Sequence, residues 1–284
     1  MKKTAIVISL ILALQVSYGQ VLQSDNVKRI VKSEDSMKVV ANKILQAITV
    51  EERKKSDSLF TKMLVRCLKT SYSYFYQFSS LYNISILYPP DSSFRIFTWQ
   101  LMIDDNHYIH HGAIQMNTPD GALKLIPLFD KSNSINEPED TICSNSSWIG
   151  AIYYKIVQKQ YNGKNYYTLL GYNEFGLASN KKIIDVLYFE NNNAIFGGHF
   201  FSITNDEFPK INYYRLVIEY KKNAAPRLNY DEDMGMIIKE HLISENNQPE
   251  LKYTLIGDGD YEGFYWKEGK WIYVNKVFDS KIPK

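Results

Sequence analysis

The chain has 284 residues and is nearly balanced in charge, with 33 basic and 31 acidic residues and a formal net charge of +2. Domains that bind nucleic acid carry a strongly basic surface, so this balance gives no support to a nucleic-acid partner. The two cysteines, Cys67 and Cys143, are too few for a fold held together by disulfides. Cys67 has the spacing of a small apolar residue on a helix face, but an oxidising compartment would also permit one Cys67–Cys143 bridge.

The N-terminus has the pattern of a secretory signal peptide. Lys2 and Lys3 precede an apolar run over residues 5–14. The small residues Ser17 and Gly19 follow, which predicts cleavage after Gly19. The apolar run is shorter than the roughly 20 residues that a membrane-spanning helix needs. Cleavage would remove two lysines and change the formal charge from +2 to +2 − 2 = 0. We expect a soluble exported protein, periplasmic or extracellular, with no later transmembrane segment.

Two amphipathic helices are predicted next. Apolar residues recur at helical spacing over residues 27–48. A second helix should extend over 49–75, because the Thr49 hydroxyl can accept a backbone hydrogen bond while Glu52 reaches back to close a capping box. Each helix has one apolar stripe that must be buried. The pattern therefore predicts a helical hairpin that covers one face or end of a sheet.

The rest of the chain has the pattern of antiparallel strands: short aromatic and β-branched runs separated by polar turns. Too few helices lie between these runs for a parallel sheet built from βαβ units. The predicted fold class is α+β, with a signal peptide at 1–19, the helical hairpin at 20–80 and a predominantly antiparallel domain, a sandwich or an open barrel, at 81–284. The longest predicted loop is 130–147. The predicted strands are 84–88, 94–103, 113–116, 123–129, 149–158, 167–170, 183–189, 194–201, 213–220, 236–241, 251–256, 263–266 and 271–274.

The stretch over residues 166–201 is the predicted centre of the sheet. Three apolar runs follow one another there, separated only by turn-forming residues, which is the pattern of a β-meander. The third run contains Gly197 and Gly198. Paired glycines inside a strand indicate a bulge or a close approach of another part of the chain, because they have no side chain to pack.

The same stretch carries a family resemblance. Its blocks YYTLLGY, SNKKIIDVLYF and IFGGHF resemble a block in uncharacterised exported proteins of Bacteroidetes-type bacteria. The similarity extends from FRIFTW at residues 94–99 to GDGDYEGFYWKEGKW near the C-terminus, which is most of the mature chain. The resemblance implies export from the cytoplasm. It implies no activity and no catalytic residue.

One set of residues imitates the order of motifs in serine enzymes that react with penicillin. Ser179-x-x-Lys182 precedes Ser244-Glu245-Asn246 and Lys267-Glu268-Gly269, in the order of S-x-x-K, S-D-N and K-T-G. An activated serine of that class lies at the start of a helix, whereas residues 183–189 have β character. We therefore expect Ser179 to be a turn residue and not a nucleophile.

Two patterns suggest metal ligands but favour other interpretations. His107, His110 and His111 lie near two aspartates, yet on a strand His107 and His111 stand roughly 13 Å apart and His110 points to the opposite face. Residues 258–263 match the first half of a calcium loop, but the bidentate ligand at position twelve is missing, since that position is Gly269. We expect a solvated hairpin connection, a tight acidic turn and no metal or other cofactor.

Tyrosine is abundant, with 22 in the chain. Because neighbours on a strand point to opposite faces, one member of each adjacent pair should lie on the second face of the sheet. If that face is open, these rings would form a binding platform for a sugar or a peptide. If helices or a second sheet cover it, they are ordinary core residues. The candidate ligand-binding residues are Tyr153, Tyr154, Tyr166, Tyr167, Tyr213 and Tyr214.

Two functions remain open from the sequence. The first is a non-catalytic binding or envelope-associated module. The second is a hydrolase of glycans or peptides whose site is assembled from scattered carboxylates such as Asp185, Glu219 and Asp233. A concave pocket with two close carboxylates, or with a nucleophile and base in hydrogen-bond reach, would favour the enzyme. The sequence does not specify the oligomeric state.

Overall fold

The computed structural model describes residues 22–205 and 208–278. The predicted signal peptide and its cleavage site lie outside these ranges. Helix α1 spans Ser24–Gln46 and helix α2 spans Val50–Leu68. The Thr49 hydroxyl accepts a hydrogen bond from the Glu52 backbone at 3.2 Å, as predicted.

Helix α2 ends earlier than predicted. Tyr72 has a left-handed φ of 59°, which a helix cannot continue through, and the Ser73 hydroxyl binds the carbonyl of Leu68 at 2.7 Å.

Sixteen strands follow the helices in the described residues. They are β1 (Ser85–Leu87), β2 (Phe94–Asp104), β3 (His107–Met116), β4 (Lys124–Phe129), β5 (Cys143–Ser144), β6 (Ile152–Tyr161), β7 (Lys164–Asn173), β8 (Ser179–Glu190), β9 (Asn193–Phe196), β10 (Phe201–Asn205), β11 (Phe208–Tyr213), β12 (Leu216–Lys221), β13 (Leu228–Asp231), β14 (Met236–Ser244), β15 (Leu255–Lys267) and β16 (Lys270–Val274).

The strands form three sheets. Sheet A has the order β1-β2-β3-β4, and sheet B has the order β5-β9-β8-β7-β6 with β12 also paired to β8. Sheet C has the order β11-β10-β16-β15-β14-β13. Of the strand pairs in the described ranges, only β10 and β16 run parallel. The predicted α+β class with a predominantly antiparallel β part is confirmed.

Three buried clusters join these elements into successive layers. One cluster contains side chains of both helices together with Phe97, Trp99 and Leu101 of sheet A. A second joins sheet A to sheet B, and a third joins sheet B to sheet C. The order of layers is therefore helices, sheet A, sheet B and sheet C, which extends the predicted sandwich by a third sheet. In the described residues, no helix is both long and apolar enough to cross a membrane.

Sheet B is buried on both faces. Leu169 and Ile183 belong to the cluster shared with sheet A, whereas their neighbours Leu170 and Ile184 belong to the cluster shared with sheet C. A strand that is covered on both sides needs apolar residues at consecutive positions, which explains the adjacent apolar pairs Leu169–Leu170 and Ile183–Ile184. The predicted meander is confirmed for β7, β8 and β9, which pair in sequence order.

The prediction of one strand over 194–201 is wrong. Strand β9 ends at Phe196 in sheet B, and β10 begins at Phe201 in sheet C, so the two glycines carry the chain from one sheet to the next. Gly197 has a φ of +85°, and a Cβ placed there would lie 2.7 Å from Nη2 of the buried Arg215. Both the backbone conformation and the space require glycine at this position.

Several other strand boundaries differ from prediction. The predicted strand 213–220 is divided between β11, which ends at Tyr213, and β12, which begins at Leu216. The predicted acidic turn at 258–263 is also wrong, because these residues lie within β15. The extra residues there form a bulge, since Glu240 pairs with Tyr261 and Leu242 with Gly257. The predictions also missed β5 and β13, and they covered only Phe201 of β10 and Tyr213 of β11.

The remaining expectations about loops and cysteines have clear outcomes. Residues 130–147 form the predicted long loop, with short 3-10 turns at Ser132–Ser134, Pro138–Asp140 and Asn145–Ser147 and the two-residue strand β5. Cys67 and Cys143 are both free, and they are buried in different clusters. The structure therefore contains no Cys67–Cys143 bridge.

Candidate functional site

A cavity lies between the 132–139 part of the long loop and strands β8 and β12 of sheet B. Its volume is about 660 Å³. Apolar side chains form most of the wall: Ile135, Ile149, Phe175, Ile183, Leu242 and Leu255. Charged and amide side chains are placed among them: Asn133, Asn136, Glu139, Asn173, Lys181, Glu219 and Lys252.

A second cavity of about 560 Å³ adjoins the first. Both cavities are lined by Ser132, Asn133, Asn173 and Phe175. The second cavity extends toward sheet A, where it reaches His110 and Asp130. We treat the two cavities as one continuous cleft.

Glu219 on β12 is held by two side chains of the neighbouring strand β8. The Ser179 hydroxyl donates to Glu219 Oε1 at 2.5 Å, and Lys181 Nζ lies 3.6 Å from Oε2. The Lys181 ammonium also lies 3.1 Å from the centre of the Phe175 ring. Burial lowers the pKa of Lys181, against the opposing effect of Glu219. A hydrogen bond and an ion pair therefore orient the Glu219 carboxylate in the cleft.

Glu139 comes from the long loop and folds back onto the edge of β12. Its Oε1 accepts a hydrogen bond from the Val217 backbone at 2.9 Å, and its carbonyl accepts one from the Tyr214 backbone at 2.8 Å. Burial raises the pKa of the Glu139 carboxyl, although the Val217 bond acts in the opposite direction. The cleft thus contains one carboxyl whose pKa is raised by burial and a second carboxyl beside a lysine.

The carboxyl groups of Glu139 and Glu219 line the same cavity. Val217 and Glu219 are alternate residues of β12, so their side chains emerge from the same face about 7 Å apart. The Glu139 carboxyl accepts a hydrogen bond from the backbone N–H of Val217, which lies two residues before Glu219 on β12. Glu219 is one of the scattered carboxylates named from the sequence, whereas Glu139 is not, because only the return of the loop to β12 places it in the cleft.

His110 and Asp130 form a hydrogen-bonded pair at the sheet A end of the cleft. Asp130 Oδ2 lies 3.2 Å from His110 Nδ1, and Oδ1 accepts the Ser132 hydroxyl at 2.5 Å. Burial alone would raise the pKa of Asp130, but the hydrogen bonds from His110 and Ser132 outweigh it and hold the pKa below its usual value. The serine binds the carboxylate and not the imidazole, so this group is not a serine–histidine nucleophile.

The three clustered histidines diverge, as the strand geometry predicts. His110 is buried on the side of sheet A that faces sheet B. His111 faces the helices, where its ring stacks on Trp99 and its Nε2 lies 3.3 Å from Asp57 Oδ2. His107 is exposed at the start of β3. Within residues 22–205 and 208–278, no group of three histidine, cysteine, aspartate or glutamate side chains could hold a metal ion.

Ser179 is the buried first residue of strand β8, so the expectation of a turn residue is wrong. Residues 183–187 are buried in sheet B, so the predicted strand after the serine is confirmed. The hydroxyl binds Glu219. Ser244 and Lys267 lie in sheet C, at the C-terminal ends of β14 and β15. That Ser179 is not a nucleophile stays a prediction.

The structure does not bring the six candidate tyrosines to one surface. Tyr153 and Tyr167 are buried toward sheet A, and Tyr166 packs toward sheet C beside Phe200 and Trp266. Sheet C covers the second face of sheet B. Under this condition, the tyrosines on that face were expected to be ordinary core residues and not a binding platform.

The remaining three tyrosines have different surroundings. Tyr154 is 38% exposed and lines a shallow cavity with Tyr172, Tyr220 and Lys182. Tyr213 and Tyr214 are half-buried, and the Tyr214 hydroxyl lies 3.0 Å from His199 Nε2. Of the six, Tyr154 alone is exposed.

Comparison with known proteins adds no relative. No family model, no curated protein and no solved structure matches this chain.

Proposed function

We propose that this chain is an exported, non-catalytic binding module whose ligand is a peptide or glycan held in the cleft between the long loop and strands β8 and β12. The observation that carries the proposal is the cavity of about 660 Å³ with apolar walls and a few oriented polar groups. Binding sites for small ligands have this size and this combination of surfaces. Export rests on the predicted signal peptide and on the family resemblance.

The chemistry of the cleft suits both ligand classes. Phe175 is 43% exposed and offers a ring face or edge to a sugar or to an apolar side chain. Lys181 and Glu219 provide a cation and an anion within one ion pair, which can bind the hydroxyls of a sugar or the charged groups of a peptide. Asn133 and Asn136 add amide donors and acceptors at the rim.

An array of peptides and glycans, followed by calorimetry on each positive ligand, tests the proposal. We expect Phe175→Ala to weaken binding at least about tenfold, since an anchoring aromatic is often worth 1–2 kcal/mol or more. Phe129→Ala is the matched control, because Phe129 is similarly exposed at 52% but does not line the cleft. Binding that is unchanged in Phe175→Ala, or equally weakened in both variants, would refute the assignment to the cleft.

A hydrolase is the second candidate, favoured by the two unlike carboxyl groups. Burial favours the protonated form of Glu139, which is the form of a general acid. Glu219, held by Ser179 and Lys181, would act as a base or nucleophile. Pairs of carboxyl groups with different environments perform this division of roles in glycoside hydrolysis.

Turnover of a bound ligand separates the two candidates. A hydrolase should lose at least about a hundredfold in kcat when Glu139 or Glu219 is changed to Gln, with binding largely retained. A purified chain that binds its ligand and leaves it intact over many hours supports the binding module instead.

A further inference from the structure

A separate cavity of about 380 Å³ lies between the two helices, where the start of α1 faces the end of α2. Its lining contains no carboxylate. Three cationic side chains and three hydroxyl side chains line it: Arg29, Lys32, Arg66, Ser33, Ser36 and Thr70. A methionine and the buried Cys67 complete the wall.

Helical spacing directs these side chains into one groove. Arg29, Lys32, Ser33 and Ser36 lie at i, i+3, i+4 and i+7 of α1 and form one stripe. Arg66 lies on the facing stripe of α2, near its C-terminal end. The cations therefore approach the cavity from both helices.

The positive charge in this groove has no partner in the described part of the chain. Arg29, Lys32 and Arg66 make no side-chain hydrogen bond or ion pair there. Two acidic residues of α1, Asp25 and Glu34, bind other groups. Asp25 pairs with Lys28 at 3.5 Å, and the buried Glu34 accepts hydrogen bonds from the Tyr76 hydroxyl and from the Ser80 backbone. By contrast, Lys181 in the cleft is paired with Glu219.

The hydroxyl groups add donors beside the cations. Ser33 Oγ donates to the carbonyl of Arg29 at 2.9 Å, and Ser36 Oγ donates to that of Lys32 at 3.2 Å. A serine hydroxyl rotates freely about its C–O bond, so each can donate to an anion instead. Two guanidinium forks, an ammonium and hydroxyl donors are the groups that bind phosphate in proteins.

We propose that this groove binds the phosphate group of an anionic ligand. The site is independent of the cleft and of the ligand assigned to it. Three cations around one cavity match a group that carries up to two negative charges, which distinguishes phosphate from a single carboxylate. Because the arginines and the lysine are exposed, their substitution should leave the fold intact.

Calorimetry with inorganic phosphate and with pyrophosphate at low ionic strength tests the proposal on the mature chain. We expect each of Arg29→Gln, Lys32→Gln and Arg66→Gln to weaken binding at least about fivefold, as loss of a charge-assisted hydrogen bond does. The triple variant should abolish binding. Added salt should weaken the binding of the parent chain, because the groove is open to solvent.

A matched control removes the same charge elsewhere. Lys54, Lys55 and Lys267 are exposed and lie outside the groove, so their triple change to Gln should leave affinity within about twofold. Circular dichroism melting should show the same Tm for both triple variants. If both triple variants lost binding equally, the phosphate would be bound by the overall positive charge and not by the groove, and the proposal would be overturned.

Co-sedimentation with vesicles containing phosphatidic acid, whose phosphate monoester carries up to two negative charges, compared with phosphatidylcholine, identifies how the phosphate is presented. Selective binding to phosphatidic acid that the groove triple variant loses supports a lipid-borne phosphate. Binding of phosphate or pyrophosphate without vesicle binding supports a free ligand. If phosphate, pyrophosphate and vesicles all fail to bind the parent chain, the proposal is wrong.

Discussion

Arg95 and Arg215 are both fully buried, but different groups compensate their charge. Arg215 Nε binds Asp185 Oδ2 at 3.0 Å, and its other nitrogens donate to the carbonyls of residues 138, 141 and 196. Among the described residues, no carboxylate pairs with Arg95. It donates to Gln115 Oε1, to the Tyr88 hydroxyl and to two carbonyls, and four aromatic rings lie 4.8 to 5.8 Å from its guanidinium carbon.

The two arginines hold different parts of the molecule. Arg95 binds the carbonyls of Ser73 and Tyr76, so it fastens the segment after the helical hairpin to sheet A. Arg215 binds the carbonyls on both sides of Glu139 and the carbonyl of Phe196, just before the chain passes from sheet B to sheet C. Arg95 therefore supports the fold, whereas Arg215 supports both the fold and the candidate cleft.

The largest expected effect comes from removing the carboxylate of the ion pair. Asp185→Ala leaves Arg215 charged and unpaired in the interior, because a guanidinium cannot lose its proton at ordinary pH. We expect a loss of about 3–5 kcal/mol in the free energy of unfolding, measured by urea denaturation. The double variant Asp185→Ala, Arg215→Met removes both charges and should be more stable than the single variant. A single variant that loses less than about 1 kcal/mol would contradict this account.

Arg95→Met should cost less, about 2–3 kcal/mol by the same measurement, since it leaves neutral acceptors unpaired but no isolated charge. The methionine side chain can keep the apolar contacts with the surrounding rings. Amide exchange should increase mainly in residues 71–80. If Arg95→Met proved as damaging as Asp185→Ala, the distinction between the two buried arginines would fail.

Gly197→Ala tests how closely Arg215 approaches the crossing between sheets. The added Cβ would meet Arg215 Nη2 at 2.7 Å at a φ of +85°, so we expect a loss of about 2–3 kcal/mol. Gly163→Ala is the control for backbone strain alone, because Gly163 has a φ of +73° and no neighbouring atom within 4 Å. Its cost should stay near 1 kcal/mol. Equal losses in thermal melts of the two variants would show that the Arg215 contact adds nothing.

The smallest expected effect is a pH dependence at Glu139, in the loop that Arg215 holds. The pKa of Glu139 is raised by burial, so the folded state binds its proton more tightly than the unfolded state. The stability that this group contributes is present below the ordinary carboxyl pKa and is lost as pH rises through the folded pKa. Glu139→Gln mimics the protonated form. The variant should therefore gain stability relative to the parent chain as pH rises, in melts from pH 4 to 8. If the difference in stability between the variant and the parent chain did not change with pH, the raised pKa of Glu139 would be contradicted.

The sequence by itself determined the order and type of the main elements. Two apolar stripes at helical spacing specified the helices, and the Thr49 cap specified where α2 begins, because these signals depend on residues within a few positions of each other. Mainly apolar runs at residues 167–170 and 183–189 located the central strands, since a sheet covered on both faces needs apolar residues at consecutive positions.

Contacts between distant residues decided the rest. The passage of the chain from sheet B to sheet C at Gly197 depends on Arg215, and the apparent acidic turn at 258–263 became a bulged strand because β14 and β16 pair with it. Likewise, the tyrosines could be assigned to opposite faces by alternation, but only the packing of sheet C decided that the second face is covered.

The candidate cleft depended even more on tertiary structure. Glu139 and Glu219 are far apart along the chain, and no local pattern marks Glu139, which lies in a polar loop. The loop reaches β12 because Arg215 binds its carbonyls and the Val217 backbone binds the Glu139 carboxyl. A hydrogen bond between such distant positions leaves no periodicity in the sequence, so residue spacing alone could not place the two carboxyl groups in one cavity.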